Sequence, residues 1–292
     1  MQWIGTWARA LRWHQWSKNL LIFIPLVVGH AYGDTDKIAT AVAAFVILCL
    51  AASANYVVND ILDREADRRH PTKHRRPLAS GQISVTTGYA IASVMGLVAL
   101  AAAFYLSVPF LLGLIAYLAL TLLYSTLLRR LPLIDVLAIA ILFSLRILMG
   151  TLVISLEPSP WLQSFSLCFF LSSAFAKRHA ELIGAADRER NIANRGYHRE
   201  DWPLTLAFGI SSGMASIVIM LLYLANDAMP SGYYSDRAWL YIVPLALTAW
   251  LMRIWLLAQR GEFRTDPVIF ALTDLTSLGL GLTTAGAFCL AL

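Results

Sequence analysis

Charge is the scarcest ingredient of this sequence. Asp, Glu, Lys and Arg make up 14% of its 292 residues, against about 25% in ordinary soluble domains. With 58% hydrophobic residues and a mean hydropathy of +0.63, the chain cannot cover itself with a charged coat. It is expected to be an integral membrane protein. Cysteine is sparse as well. Cys49, Cys168 and Cys289 each lie in an apolar run without ligand-type neighbours, which excludes a disulfide framework and a zinc site and leaves small buried hydrophobes. Low-complexity tracts and long linkers are missing, so a single domain over 1–292 is the simplest organisation.

What is present is a recurrence of apolar runs. A spanning helix needs about 20 mostly apolar residues, and nine segments come close: 18–34, 37–58, 84–106, 109–127, 132–155, 159–180, 203–226, 238–258 and 267–291. The first is short. Turn residues separate them, as in Gly33-Asp34, Glu157-Pro158-Ser159-Pro160 and Pro230-Ser231-Gly232. Ahead of the first run, residues 1–17 carry Trp3, Trp7, Trp13 and Trp16 among Arg9 and Arg12. That mixture predicts a helix lying in the headgroup layer rather than a cleaved leader.

The few charges then set orientation. Of 23 Lys and Arg, all but three fall on one side of this nine-span arrangement. Lys37 and Arg237 lie on the other side, and Arg146 lies inside the fifth span. Basic loops face the cytoplasm, so the N-terminus is expected inside and the C-terminus outside. Orientation also accounts for the net charge of +5, which therefore does not call for nucleic acid. The opposite loops are nearly uncharged, so chemistry belongs at the cytoplasmic face.

One loop concentrates that charge. Residues 59–78 read NDILDREADRRHPTKHRRPL. If the second span runs on as a helix through residue 67, Asp60, Asp63 and Asp67 fall within about 60° of one another at 100° per residue. Three carboxylates on one stripe repel and need a cation, and hard oxygen ligands favour Mg2+. An ion held by few carboxylates keeps positions open for phosphate oxygens. Lys73, Arg75 and Arg76 follow and suit the remaining phosphate charge. A metal–diphosphate clamp and a solvated salt-bridged loop both fit the spacing.

The same residues carry a resemblance. Asn59-Asp60-Ile61-Leu62-Asp63-Arg64-Glu65-Ala66-Asp67 followed by Arg76-Pro77-Leu78-Ala79-Ser80-Gly81 resembles the first aspartate-rich motif of the UbiA superfamily of intramembrane prenyltransferases. The resemblance implies nine transmembrane helices around a cavity open to the cytoplasm, with Asp60, Asp63 and Asp67 as catalytic metal ligands and Asn59 beside them. Aromatic prenyltransferases of the group carry a second acidic motif after the sixth span. Here Ala176-Lys177-Arg178-His179-Ala180-Glu181-Leu182 stands instead, with Asp187 farther on. That stretch, Gln15-Trp16-Ser17-Lys18-Asn19 and His70-Pro71-Thr72-Lys73 are similar to the decaprenyl-phosphate phosphoribosyltransferase branch. This branch implies Mg2+-dependent transfer of 5-phosphoribosyl from phosphoribosyl pyrophosphate to a polyprenyl phosphate. A prenyl-diphosphate transferase with a small acceptor is the alternative. The cytoplasmic active-site loops would be 59–83 and 177–202.

Further polar residues complete the candidate set. Lys177, Arg178 and Glu181 replace the second acidic motif. Arg146 sits where a charge is costly and usually functional. Asp135, eleven residues earlier, lies on the same helix face about 16 Å away along the axis. Tyr124 and Arg129 end the fourth span, and Lys18 and Asn19 open the first at the same depth. Asp266 before Pro267 reads as a helix N-cap. Arg188, Glu189, Arg190 and Arg195 suggest a mobile loop over the site. A homo-oligomer is compatible with the sequence, which does not fix the number of copies.

Overall fold

The structure, a computed structural model, describes residues 2–184, 196–263 and 265–292. Those residues are helical, with no strand among them. The chain forms two compact units, Met1–Thr126 with Leu145–Glu157, and Leu127–Ser144 with Pro158–Leu292.

The first unit runs through α1 (Gln2–Ala10), a 3-10 stretch (Trp13–Phe23), α2 (Ile24–Val28), α3 (Thr35–Leu62), α4 (Arg64–Arg69), a 3-10 turn (Lys73–Arg75), α5 (Val85–Leu106) and α6 (Val108–Thr126). It also takes in the second half of α7 (Ile134–Val153). Caps fix where its helices start. Asp34 Oδ1 accepts from the backbone N–H groups of Asp36 and Lys37, and the Lys37 bond is the main reason that this carboxyl stays below the usual range. Ser84 Oγ accepts from Thr87 N at the start of α5. Val57, Ile61, Leu78, Ile83 and Ala92 form a core against Ala10, Trp7 and Leu11. Gly150 permits the closest approach: a Cβ there would lie 2.2 Å from the Ile22 carbonyl oxygen.

The second unit holds the start of α7, then α8 (Pro160–Ile183), α9 (Trp202–Tyr223), α10 (Ile242–Gln259), α11 (Pro267–Thr273) and α12 (Leu275–Ala291). Small residues bring its helices together, as is common where lipid surrounds a bundle. Gly209 lies against the Trp255 ring and Gly213 against Ser172. Two indoles are satisfied inside: Trp255 Nε1 donates to Ser172 Oγ (3.1 Å) and Trp250 Nε1 to Ser277 Oγ (3.0 Å).

By length and composition, six helical stretches among the described residues could cross a membrane, and α11 with α12 would make a seventh across an 84° bend. The predicted first span is broken, since residues 13–23 are 3-10 and α2 has five residues. Left-handed backbone at Arg12 (φ 51°) and His30 (φ 52°) bounds this stretch, and Pro25 stands at the start of α2 without an N–H to donate. The sixth segment is a 24-residue helix, α8, whose last turns carry Lys177, Arg178, His179 and Glu181. Residues 177–183, expected in a loop, therefore end that helix. The ninth is divided at Asp274, which is extended (φ −83°, ψ 125°) and caps α12 through Ser277 N (2.9 Å). Its carboxylate also accepts from Arg253 Nη2 at 2.8 Å. Asp266 caps α11 as expected, accepting from Val268 N. Asp187, Arg188, Glu189, Arg190 and Arg195 lie outside the described residues.

Each unit buries an arginine. In the first, Arg146 is 5% exposed. Its Nε donates to Asn19 Oδ1 (3.0 Å) and its Nη2 to Tyr117 OH (2.9 Å), with the guanidinium 4.8 Å from the Tyr117 ring centroid. In the second, Arg178 is 1% exposed. Its Nη2 meets Asp135 Oδ2 at 2.8 Å, its Nη1 donates to Glu181, and it lies 5.5 Å from the Tyr197 ring centroid. Tyr197 OH donates to Asp135 Oδ1 and accepts from Leu133 N, both at 2.7 Å. Burial, with the Asp135 carboxylate, raises the Tyr197 phenol well above its ordinary range.

Four variants test this packing. Gly150→Ala should destabilise the protein by about 1–3 kcal/mol, since backbone rather than a flexible side chain opposes the new methyl. Gly96→Ala, with no atom within 4 Å of its Cβ position, should leave the melting temperature in detergent within a degree or two of wild type. Asp135→Ala should cost about 3–5 kcal/mol because it takes the buried acceptor from Arg178 Nη2 and from the Tyr197 hydroxyl and leaves Glu181 as the remaining acid on that guanidinium. Asp135→Ala combined with Arg178→Met should recover most of that loss in the same melts.

Candidate functional site

The aspartate-rich stretch folds as its helical spacing predicts, with one interruption. α3 ends at Leu62, and Asp63 (φ −87°, ψ 1°) joins it to α4. Helical bonds cross the joint, from Asp63 N to Asn59 O (2.9 Å) and from Asp67 N to Asp63 O (2.8 Å). Asp60 and Asp67, each 3% exposed, consequently face the same cation. Arg76 Nη1 donates to Asp67 Oδ2 at 2.7 Å and lies 3.2 Å from Asp60 Oδ1. Asp60 Oδ1 also accepts from Arg12 Nη2, whose guanidinium stacks 5.1 Å from the Tyr56 ring centroid. Asp63 is half-buried at the joint.

The returning strand of the loop is fixed by the motif's other bases. Arg64 Nε donates to Leu78 O (3.3 Å) and Arg68 Nε to Ala79 O (3.1 Å), while Gly81 takes the positive φ (80°) that turns the chain toward α5. These bonds seat Arg76 over the two carboxylates. His70 Nδ1 accepts from Thr72 N and Lys73 N, which accounts for this histidine as a local cap. Lys73 stands on the exposed 3-10 turn that follows.

The chemistry of these residues fits a hard divalent ion. Asn59 Oδ1 is buried and has no hydrogen-bond partner among the described residues, beside two carboxylates that already converge on a cation. An oxygen-only set of that kind suits Mg2+, which is usually held by one or two carboxylates and completed by water and substrate phosphates. No three Asp, Glu, His or Cys side chains among the described residues are gathered as a cage, so the expected stripe supplies fewer simultaneous ligands than its spacing suggests. The residues that would hold the ion are Asn59, Asp60, Asp67 and, at the joint, Asp63.

The other candidates distribute as follows. Lys18 is half-buried and Asn19 buried on the 3-10 stretch; Asn19 binds Arg146 and donates to Cys49 Sγ (3.3 Å). Tyr124 is half-buried in the last turn of α6. In the second unit Arg129 lies on the 3-10 turn Leu128–Arg130, and Lys177 is half-buried on α8 beside Arg178 and Glu181. Arg178 Nε is buried without a hydrogen-bond partner among the described residues. Three participants escaped the sequence reading. Residue order puts Arg12 in the headgroup layer, places Asp135 on the helix face of Arg146 about 16 Å from it without pointing to Arg178, and gives no sign of Tyr197. The spacing between 12 and 60, or between 135 and 178, offers no local signal.

Known proteins resemble this chain in sequence or in fold. The chain is 47% identical over 290 residues to the uncharacterized protein y4nM of Sinorhizobium fredii, covering 99% of this chain and 56% of that one. It thus spans little more than half the length of that relative. It is 30% identical over 281 residues to the decaprenyl-phosphate phosphoribosyltransferase of Mycolicibacterium smegmatis, covering 91% of this chain and 86% of the relative. A UbiA homolog from Archaeoglobus fulgidus bound to GPP and Mg2+ has the same fold, with a TM-score of 0.70, 15% identity and 98% of each chain covered. Residues 20–275 match the model of the UbiA prenyltransferase family. The chain belongs to the UbiA prenyltransferase family.

Proposed function

We propose that this protein transfers 5-phosphoribosyl from phosphoribosyl pyrophosphate to a polyprenyl phosphate and releases pyrophosphate. The observation that carries the reading is the pairing of buried Asp60 and Asp67 with two guanidinium groups, Arg12 and Arg76. That is more positive charge than a metal-binding aspartate pair needs, and it suits a donor bearing a 5-phosphate as well as a diphosphate. The likeness to a decaprenyl-phosphate phosphoribosyltransferase over most of both chains supports the same branch. The membrane topology that goes with it has nine spans, the N-terminus inside, the C-terminus outside and the site at the cytoplasmic face. The 20-residue charged stretch 59–78 supports that placement.

The chemistry asks little proton transfer of the protein. A lipid phosphate is anionic near neutral pH, so an oxygen lone pair attacks C1 of the ribose without a general base. The bond from C1 to the diphosphate oxygen breaks, and its electron pair leaves on pyrophosphate. Bound Mg2+ supplies neutralisation of the leaving group. Asp60, Asp63, Asp67 and Asn59 would hold that ion. Arg76 and Lys73 take up diphosphate charge as it develops. Tyr124 and Lys18 would meet the diphosphate, with Arg146 and Asn19 as further groups of the first unit. In the second unit Arg178 is balanced by Asp135 and Glu181, and Arg129 and Lys177 are the bases proposed for phosphate charge.

A prenyl-diphosphate transferase is the second reading, favoured by a fold neighbour bound to GPP and Mg2+. One assay separates them. Purified protein with Mg2+, labelled phosphoribosyl pyrophosphate and a polyprenyl phosphate should move label into the organic phase. No transfer there, with transfer from a prenyl diphosphate to an aromatic acid, establishes the second reading. In whichever assay is active, Asp63→Asn should lower kcat by roughly 100-fold or more while the melting temperature in detergent stays near wild type. A fully active Asp63→Asn enzyme removes Asp63 from the metal set.

A further inference from the structure

Arg12 holds an unusual position. It is the single left-handed residue (φ 51°, ψ 45°) between α1 and the 3-10 stretch Trp13–Phe23, a conformation that strains any residue but glycine. Its side chain nonetheless reaches Asp60 and covers the face of Tyr56. Asp60 already has Arg76 at 3.2 Å, so Arg12 brings the local balance to two carboxylates and two guanidinium groups. A divalent ion entering that cluster would leave it with an excess of positive charge. One arginine must then give way or find an anion.

The two are not equally free to do so. Arg76 bridges both carboxylates, and the residues after it are tied by Arg64 and Arg68 to Leu78 O and Ala79 O. Arg12 touches one carboxylate and sits at a one-residue joint; exposure does not set the two apart, at 22% for Arg12 and 29% for Arg76. Its planar fork also matches a phosphate as well as it matches a carboxylate.

We propose that Arg12 is a diphosphate-binding residue parked on Asp60, which moves to the donor's diphosphate when a divalent ion takes that carboxylate. The inference rests on the reading of Asn59, Asp60 and Asp67 as the metal site. Its consequence is that metal and diphosphate bind cooperatively. The ion alone must displace a guanidinium; with diphosphate present, the displaced guanidinium has a new partner.

Mn2+ and inorganic pyrophosphate are suitable probes, read by the electron-paramagnetic signal of free Mn2+ and by retention of labelled pyrophosphate on the full-length protein in detergent. Arg12→Gln should bind Mn2+ alone about tenfold more tightly, because the parked state no longer reduces the competent fraction. At saturating Mn2+ it should hold pyrophosphate about tenfold more weakly, through loss of a charge-assisted fork. Arg12→Lys keeps the charge and loses the fork. It should bind Mn2+ within about twofold of wild type and pyrophosphate several-fold more weakly, and it decides the matter if Arg12→Gln does not fold. Mn2+ affinity unchanged or weakened in Arg12→Gln, or pyrophosphate retention unchanged in both variants, overturns the proposal. Wild-type protein that binds no Mn2+ even with saturating pyrophosphate overturns the metal-site reading itself, a different failure seen before any variant is made.

Discussion

Two carboxylates buried side by side repel each other and are costly unless a positive charge lies between them. Asp60 and Asp67 are in that position, each 3% exposed and one helical repeat apart. Arg76 supplies the charge from nine residues beyond Asp67. Because it must reach back that far, the intervening chain cannot be a loose loop. It folds as α4, a 3-10 turn and a segment whose carbonyls at Leu78 and Ala79 are held by Arg64 and Arg68. Buried Leu78 and Ile83 then join Val57 and Ile61 in the core of the first unit. The compensation of two aspartates thus organises about twenty residues and joins them to the hydrophobic packing of α3 and α5.

Elsewhere the same requirement is met in two ways, with different consequences. Arg146 is bound to neutral groups, Asn19 and Tyr117, so those bonds orient it without cancelling its charge. Arg178 meets Asp135 and Glu181, which cancel it with an acid to spare. Counting Lys and Arg along 177–181 therefore overstates the positive field that the second unit offers a phosphate. In the first unit Arg12 and Arg76 are balanced in the same way by Asp60 and Asp67.

Much of this was legible from residue order alone. Apolar runs located most of the long helices, Pro267 after Asp266 marked a helix start, and the three-and-four spacing of Asp60, Asp63 and Asp67 put two of them on one cation. The misses share a cause. Residues 18–34 are apolar enough to read as a span, but Arg12, Pro25 and His30 impose backbone that no hydropathy average registers. Asp274 sits within a continuous apolar stretch, and only its capping of Ser277 N and its pairing with Arg253 reveal the bend. Asp135 and Arg146 share a helix face in sequence, yet each is satisfied within a different unit. Long-range ion pairs such as Arg12 with Asp60 join residues 48 positions apart, beyond the reach of any periodicity.

A cluster that is already neutral selects what can enter it. An anion arriving alone meets Asp60 and Asp67 and is repelled by whichever carboxylate loses its arginine. A divalent ion arriving alone leaves two guanidinium groups unbalanced in a site with little water to screen them. A metal–diphosphate pair brings both signs at once, so each buried group can exchange one partner for another without passing through an unpaired state. Buried charge is most costly when only one partner has been removed. On the proposed reading of the cluster, the arginines would therefore do more than stabilise the ligand-free fold, favouring metal and diphosphate together over either alone. Asn59 Oδ1, buried with no hydrogen-bond partner among the described residues, would gain one when such a pair arrives.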